Sequence, residues 1–253
     1  TLDRSSAASD VYKRQGFCMR TPLAIAVLLA ALAFAVSPAI FQNFAGYPPG
    51  IFPVPQDDPP IQPAGYAFSI WGLIYAWLIA GAGYGVWRRA DDDDWAAMRP
   101  PLLASLVIGF FWLGIASRSP IWATVMIFLM LGFALAAFLR AGDRDAVWQI
   151  RPVALYAGWL TAASGASLGI VLAGYGILSA QISAVLCLLG VTAIALVVQA
   201  TRPREWAYPI GVIWALIGVI VANISPVNLV VVLLAALASA LLAGRAILFA
   251  TRS

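Results

Sequence analysis

The stretch that decides the fold is residues 63–87, PAGYAFSIWGLIYAWLIAGAGYGVW. It joins a proline-rich segment to an apolar run long enough to cross a bilayer, which takes roughly 20 residues. Lipid-facing helices usually keep Trp and Tyr for the two membrane interfaces, yet four such rings lie inside this run. They are Trp71, Tyr75, Trp77 and Tyr84. Trp71 and Tyr75 are four residues apart and therefore share one helix face, which favours one wall of an interior pocket.

The composition places the whole chain in a membrane. Of its 253 residues, 62% are hydrophobic and 10% are charged, whereas soluble domains have roughly 25% charged residues. The net charge of +4 comes from arginines at the ends of apolar runs, with no basic patch, so it does not indicate a nucleic-acid partner. We therefore expect an all-α, polytopic helical bundle whose partner is the lipid bilayer.

The first 18 residues are not expected to belong to the fold. Residues 5–15, SSAASDVYKRQ, read as the translation of a sequencing-library adapter, so we expect 1–18 to be a non-native or disordered tail and Met19 the native start. The alternative is a genuine short cytoplasmic tail. The run after Met19 also has the form of a secretory signal, but its apolar residues continue through Phe41, which favours an anchored helix.

Eight apolar stretches have the length of a membrane span within a few residues. They are 23–41, 67–87, 101–117, 121–139, 152–173, 180–199, 206–223 and 227–249. The loops between these stretches alternate in arginine content. Every second loop is arginine-rich, and the intervening loops carry only Arg118. Because arginine marks short cytoplasmic loops, the pattern predicts eight spans with both termini cytoplasmic.

The longest non-cytoplasmic loop, residues 41–66, contains seven prolines and is predicted to be stiff and extended. A tolerated surface loop and a lid over a membrane-embedded cavity are both open interpretations. Its aromatic and aliphatic residues, such as Phe44 and Phe52, are costly to leave in water and favour a loop folded back onto the bundle.

The types and positions of the ionisable residues do not support acid–base chemistry inside the membrane. The chain has no His, its acidic residues fall in loops, and the only charge within a span is Arg245. The run Asp91 to Asp94 is more typical of a solvated turn than of a cation site. A ridge of small residues on 152–173, which includes Gly158 and Ser167, favours close helix packing over a polar ligand contact. We predict no catalytic and no metal site.

Aromatic rings are the remaining feature. An interfacial belt accounts for five tryptophans near span ends: Trp87, Trp95, Trp122, Trp148 and Trp206. Five others lie within spans: Trp71, Trp77, Trp112, Trp159 and Trp214. Tyr156 and Trp159 share a helix face. Together these rings predict a flat cavity suited to a planar apolar ligand.

These residues resemble the TspO/MBR family of tryptophan-rich sensory or translocator proteins. Three elements carry the resemblance: Pro63, Tyr66, Phe68, Trp71 and Tyr75 in the second span; Gly109, Phe110, Phe111 and Trp112 in the third; and Tyr156, Trp159 and Ala163 in the fifth. The sequence departs from the family pattern by a Phe68–Trp71 interval one residue shorter, and by Gly109 and Ser167 in place of asparagines. The resemblance covers roughly residues 23–173 and implies a five-helix bundle over 19–173. The apolar stretches in 174–253 predict three additional helices, which the five-helix family lacks.

The resemblance also implies a function. The family binds porphyrins, other tetrapyrroles or sterol-like molecules in a bundle cavity under its first loop, in sensory or transport roles. The expected ligand-binding residues are Tyr47, Tyr66, Phe68, Trp71, Tyr75, Phe111, Trp112, Tyr156, Trp159 and Ser167. We expect a non-enzymatic receptor or carrier in a bacterial cytoplasmic membrane that needs no cofactor, although a bound tetrapyrrole is compatible with it. A homodimer, a facilitative transporter without carboxylate ion coupling and, less favoured, an enzyme acting on a bound pigment are the alternatives.

Overall fold

The computed structural model describes residues 3–41, 47 and 49–251, with side chains from residue 20 onward. Regular structure in that part of the chain is helical. The helices are α1 (Asp3–Phe41), α2 (Ile70–Arg89), α3 (Asp93–Ala96), α4 (Arg99–Ala116), α5 (Pro120–Arg140), α6 (Ile150–Gly174), α7 (Ala180–Thr201), α8 (Ala207–Ala222) and α9 (Leu229–Ala250). Short 3-10 turns, Pro49–Ile51 and Gly65–Ser69, lie in the proline-rich loop.

Seven of the described helical segments are long and apolar enough to cross a membrane, which confirms an integral membrane protein. The remaining predicted stretch, 206–223, forms α8, which is apolar but has only 16 residues. Of the predicted tail, residues 1–2 lie outside the described residues. Residues 42–46, which include Phe44, and residue 48 of the proline-rich loop also lie outside the described residues.

The helices form two groups that meet on α6. Five of them close a ring in the order α1, α2, α6, α5, α4, in which each contacts the next and α4 returns to α1. Helices α7 and α8 pack on α6 outside this ring, and α9 packs on α7 and α8, while the short α3 contacts α4. Buried residues make up 72% of the apolar segment of α6 but 22% of that of α9. Helix α6 is therefore the shared core element, while α9 lies at the periphery.

Glycines let α6 approach its neighbours closely. A Cβ atom on Gly158 would collide with the Tyr208 carbonyl of α8, and one on Gly211 of α8 would lie 2.6 Å from the Leu155 carbonyl of α6. Small residues at such crossings allow backbones to pack tightly, which is the main source of helix association in lipid. The packing role expected for the small-residue ridge is confirmed at Gly158.

The arginine-rich loops meet at one end of the bundle, where Asp145 joins α2, α3 and the α5–α6 loop. Arg89 donates to both carboxylate oxygens, from Nε to Oδ2 at 2.7 Å and from Nη2 to Oδ1 at 3.2 Å. Trp95 Nε1 donates to Oδ2 at 3.0 Å, and the Tyr84 hydroxyl donates to Oδ1 at 3.2 Å. These donors, Arg89 above all, lower the pKa of Asp145 to about 2.

One expectation for this end was wrong. Trp95 is only 1% exposed and packs beneath Gly85, so it is a core residue and not part of an interfacial belt. Asp91 and Asp93 are exposed, as expected for a solvated turn, and carboxylates of the acidic run also make specific contacts. The side chain of Asp92 caps α3 by accepting from the Asp94 amide at 2.9 Å, and Asp91 Oδ1 accepts from the Thr21 hydroxyl at 2.8 Å. These carboxylates stabilise the turn and tie it to α1.

The opposite end is covered by residues 49–69, called here the covering loop. The expectation that the loop folds back onto the bundle is confirmed, because Phe52 and Ile61 are buried and the Val54 amide donates to the Gly174 carbonyl of α6 at 2.9 Å. Most of its remaining anchors lie on α8. The Ala64 amide donates to the Gly218 carbonyl at 3.0 Å.

Trp214 of α8 and Asn223, the residue just after α8, add to this attachment. Trp214 Nε1 donates to the Ala67 carbonyl, and Asn223 Nδ2 donates to the Pro60 carbonyl, each at 2.8 Å. The covering loop therefore rests on a helix outside the five-helix ring.

Candidate functional site

A cavity of about 320 Å³ lies inside the five-helix ring. Its lining comes from all five helices and from the end of the covering loop: Phe34, Pro38, Phe68, Trp71, Tyr75, Trp112, Leu113, Ile127, Met130, Trp159, Leu160 and Ala163. We call it the larger cavity. Its volume is at the lower end of the roughly 300–1,000 Å³ that small-molecule pockets occupy, and apolar and aromatic lining is typical of them.

Stacked and edge-on rings form the aromatic wall of the larger cavity. The rings of Trp71 and Tyr75 stack, with centroids 5.3 Å apart and planes inclined by 21°. Phe34 of α1 meets both of them edge-on, at 5.6 Å and 5.0 Å. Trp159 of α6 meets Trp71 edge-on at 6.1 Å. Each geometry is a favourable aromatic arrangement, so the rings hold one another in place.

Hydrogen bonds also hold several of the surrounding side chains. Trp112 Nε1 donates to the Ala123 carbonyl of α5 at 2.9 Å, which fixes that indole across the α4–α5 crossing. The Tyr156 hydroxyl and the Ser105 hydroxyl are 2.9 Å apart and fully buried. Trp159 differs, because its indole N–H is buried and has no hydrogen-bond partner in the described part of the chain. Unpaired buried donors are costly and uncommon, so a ligand acceptor near Trp159 would be favoured.

A second cavity, of about 70 Å³, lies between α6 and the additional helices; we call it the smaller cavity. Its lining includes Ala162, Ala166, Ser167 and Ile170 of α6, Leu188 and Val191 of α7, and Ala215, Leu216 and Val219 of α8. Tyr47 and residues 61–63 of the covering loop complete it. Ser167 Oγ lies 2.7 Å from Thr124 Oγ1 of α5, so the polar atom of Ser167 is already hydrogen-bonded.

The two cavities share a partition. Phe68, Trp112, Ile127, Trp159 and Ala163 line both of them. Phe68 and Trp159 meet edge-on, with centroids 5.9 Å apart. The partition thus includes the aromatic rings of Phe68, Trp112 and Trp159.

The structure separates the predicted ligand-binding residues into groups. Phe68, Trp71, Tyr75, Trp112 and Trp159 line the larger cavity, and Tyr47 and Ser167 line the smaller one together with Phe68, Trp112 and Trp159.

The other three predicted residues line neither cavity. Tyr156 is fully buried behind the aromatic wall, with its ring centroid 6.3 Å from that of Trp71. Tyr66 and Phe111 are 45% and 52% exposed, so the structure does not bring them to the site. Phe111 stands next to Trp112 in the sequence, but the helix turns neighbouring side chains in different directions.

Sequence reasoning missed the contribution of α1 and α5. Phe34 contacts the rings of Trp71, Tyr75 and Tyr156, yet it is one apolar residue in an apolar span. Ile127 and Met130 line the larger cavity from α5 and are equally inconspicuous. No signal in the sequence distinguishes these side chains from those that face lipid.

Comparison with known proteins places the chain in a family. The model of the family described as TSPO-like protein matches residues 54–248, well over half of the chain. No curated protein and no solved structure matches it. The chain belongs to the TSPO-like protein family, and the match extends through α7 and α8 into α9.

Proposed function

We propose that this TSPO-like membrane protein is a non-enzymatic receptor or carrier that binds a planar, mainly apolar molecule in the larger cavity. The observation that carries the proposal is the stacked pair Trp71 and Tyr75, which presents flat aromatic surface to a cavity of about 320 Å³. Porphyrin-like and sterol-like molecules are the ligand classes that match such a surface. Phe68, near the end of the covering loop, contributes to the lining of this cavity.

The lining of the site supports binding more than chemistry. The larger cavity is bounded by aromatic and aliphatic side chains, and the residues that line it include no acidic or basic group. Proton transfer by a side chain needs an ionisable group within hydrogen-bond reach of the reacting atom. The buried indole N–H of Trp159 suits a ligand that carries a hydrogen-bond acceptor, such as a carbonyl or carboxylate oxygen.

We also propose that α8 crosses the membrane, which gives eight spans with both termini on the cytoplasmic side. Near the start of α8, Arg202 pairs with Asp143 of the α5–α6 loop at the arginine-rich end. Just after its last residue, Asn223 binds the covering loop at the other end. Sixteen residues extend about 24 Å at 1.5 Å per residue, somewhat short of a hydrocarbon core of about 30 Å, which local bilayer thinning accommodates. The arginine-rich end then faces the cytoplasm of a bacterial inner membrane.

Ligand binding is tested by titrating the purified protein with protoporphyrin and following the quenching of tryptophan fluorescence. We expect saturable quenching, and an affinity lowered roughly tenfold in Trp71→Leu because an aromatic contact worth about 1 kcal/mol and its packing are lost. Trp87→Leu is the control, since Trp87 is 73% exposed at the arginine-rich end. Unsaturable quenching that is the same in wild type, Trp71→Leu and Trp159→Leu would refute the proposal.

A facilitative transporter is the second candidate, favoured by the presence of two adjacent cavities that share five lining residues. The residues that line the two cavities include no acidic side chain, so ion coupling through an intramembrane acid is not part of this candidate. Uptake of the bound ligand into proteoliposomes, compared between wild type and Trp71→Leu, separates the two roles. A receptor binds the ligand without accelerating its entry.

A further inference from the structure

We propose that the two cavities form one bipartite site, in which a planar ring system occupies the larger cavity and a short alkyl arm of the same ligand extends past Phe68 into the smaller one. This inference rests on the proposed function and specifies the class of ligand: a flat molecule with a short, mainly apolar side arm. Two of the three additional helices, α7 and α8, thereby become part of the binding site.

The partition between the cavities supports a single site. The side chains that form the partition do not have equal freedom to move. Trp112 is held by its hydrogen bond to Ala123, and Trp159 is packed against both Trp71 and Phe68. Phe68 is partly exposed, and its apolar side chain has no polar atom that could anchor it. Rotation of the Phe68 ring therefore offers the least costly opening between the two spaces.

The smaller cavity has the size and lining for an alkyl arm. Its volume of about 70 Å³ is well above the roughly 10–15 Å³ needed for one water-sized group. Most of its lining is aliphatic, so several ordered waters would lack polar partners there, whereas a few carbon atoms would pack against it. The Ser167 hydroxyl is already hydrogen-bonded to Thr124, so the alkyl arm does not need a polar group to pair with it.

The helices outside the ring supply one side of this space. Ala215 and Leu216 of α8 and Val191 of α7 line the smaller cavity and are absent from the lining of the larger one. On the α6 side, Ala166 lines only the smaller cavity and is partly exposed to it. A larger side chain at position 166 would thus fill the smaller cavity and leave the larger one in place.

The test compares two fluorescent probes, pyrene and 1-pyrenebutanol, which share a planar ring system and differ by an alkyl arm. Binding to the detergent-purified full chain is followed by energy transfer from tryptophan, and the readout is the ratio of the two dissociation constants. We expect Ala166→Leu to reduce the preference for 1-pyrenebutanol about tenfold, the loss expected for about two packed methylene groups. Ala215→Leu fills the same cavity from α8 and serves as the second variant.

Two controls define the result. Ala236→Leu adds the same bulk at an exposed position of α9 and should keep the wild-type ratio. Trp71→Leu should weaken both probes together. A ratio unchanged in both Ala166→Leu and Ala215→Leu, or shifted equally by Ala236→Leu, overturns the bipartite site while leaving ring binding in place. Failure of pyrene to bind saturably would likewise overturn the bipartite site, whereas failure of protoporphyrin to quench tryptophan fluorescence saturably would remove the proposed function, and this inference with it.

Discussion

Replacement of Asp145 by asparagine should destabilise the arginine-rich end of the bundle. The carboxylate accepts four hydrogen bonds, two from Arg89 and one each from Trp95 and Tyr84. An asparagine keeps one accepting oxygen, while its NH₂ group cannot accept from the other pair of donors. Two hydrogen bonds and the charge that pairs with Arg89 are therefore lost.

The magnitude follows from burial. The Asp145 side chain is 11% exposed and that of Arg89 is 29% exposed. Hydrogen bonds to charged groups contribute about 1.5–3 kcal/mol each when buried, and partial exposure screens them. We expect a loss of about 2 kcal/mol in the free energy of unfolding, or an apparent Tm lowered by roughly 4–8 °C.

The assay is thermal unfolding in mild detergent, followed by intrinsic tryptophan fluorescence. Asp143→Asn is the matched control in the same loop: its side chain is 85% exposed and pairs with Arg202 at 2.8 Å, so its loss should cost less than about 0.5 kcal/mol. Equal Tm values for Asp145→Asn and Asp143→Asn would refute the reasoning, because they would mean that solvent screens both carboxylates alike.

Acid should remove the same stabilisation. The folded-state pKa of Asp145, about 2, lies below the ordinary value of about 3.9 for an unfolded aspartate. Its contribution is therefore fully present above about pH 5 and is lost as the pH falls toward 2. The Tm difference between wild type and Asp145→Asn should be constant from pH 5 to 8 and narrow below pH 4; a constant difference down to pH 3 would contradict this assignment.

Two further changes test the helix packing and the covering loop. Gly158→Val should prevent proper docking of α8 on α6, because even a Cβ atom at this position would collide with a backbone carbonyl. The control is Gly190→Val on α7, where the space around the glycine is open. Size-exclusion chromatography should show that this control variant is folded and monodisperse. Asn223→Ala removes a buried amide that donates to the covering loop, so the Ala64 amide should exchange its hydrogen about tenfold faster, for a loss of about 1.4 kcal/mol. Equal recovery of monodisperse Gly158→Val and Gly190→Val, or unchanged exchange at Ala64, would contradict these interpretations.

Much of the fold could be predicted because its determinants are local. The predicted stretch 152–173 agrees with α6, Ile150–Gly174, and 180–199 agrees with α7, Ala180–Thr201, since each needs only a sufficient run of apolar residues. The rings of Trp71 and Tyr75 were placed on one helix face by their spacing alone, and they do stack.

The site was harder to predict because it depends on which faces of the helices pack against one another. Trp112 and Phe111 are neighbours in sequence with similar chemistry, yet only Trp112 lines the cavities. Trp95 has the sequence context of an interfacial residue, but its indole N–H binds Asp145, 50 positions away in the chain. Such pairings arise from helix packing and leave no local pattern.

The sequence by itself determined a helical membrane protein, the approximate limits of its helices, the spacing that places Trp71 beside Tyr75, and the alternation of arginine-rich loops. Hydrophobic length, helical period and loop charge are properties of single segments, so they can be read without knowing any contact. Only the tertiary structure decided that Phe34 completes the aromatic wall, that α8 holds the covering loop, and that two cavities meet at Phe68. Lipid tails are as apolar as the interior of the bundle, so hydrophobicity does not distinguish an inward-facing side chain from an outward-facing one.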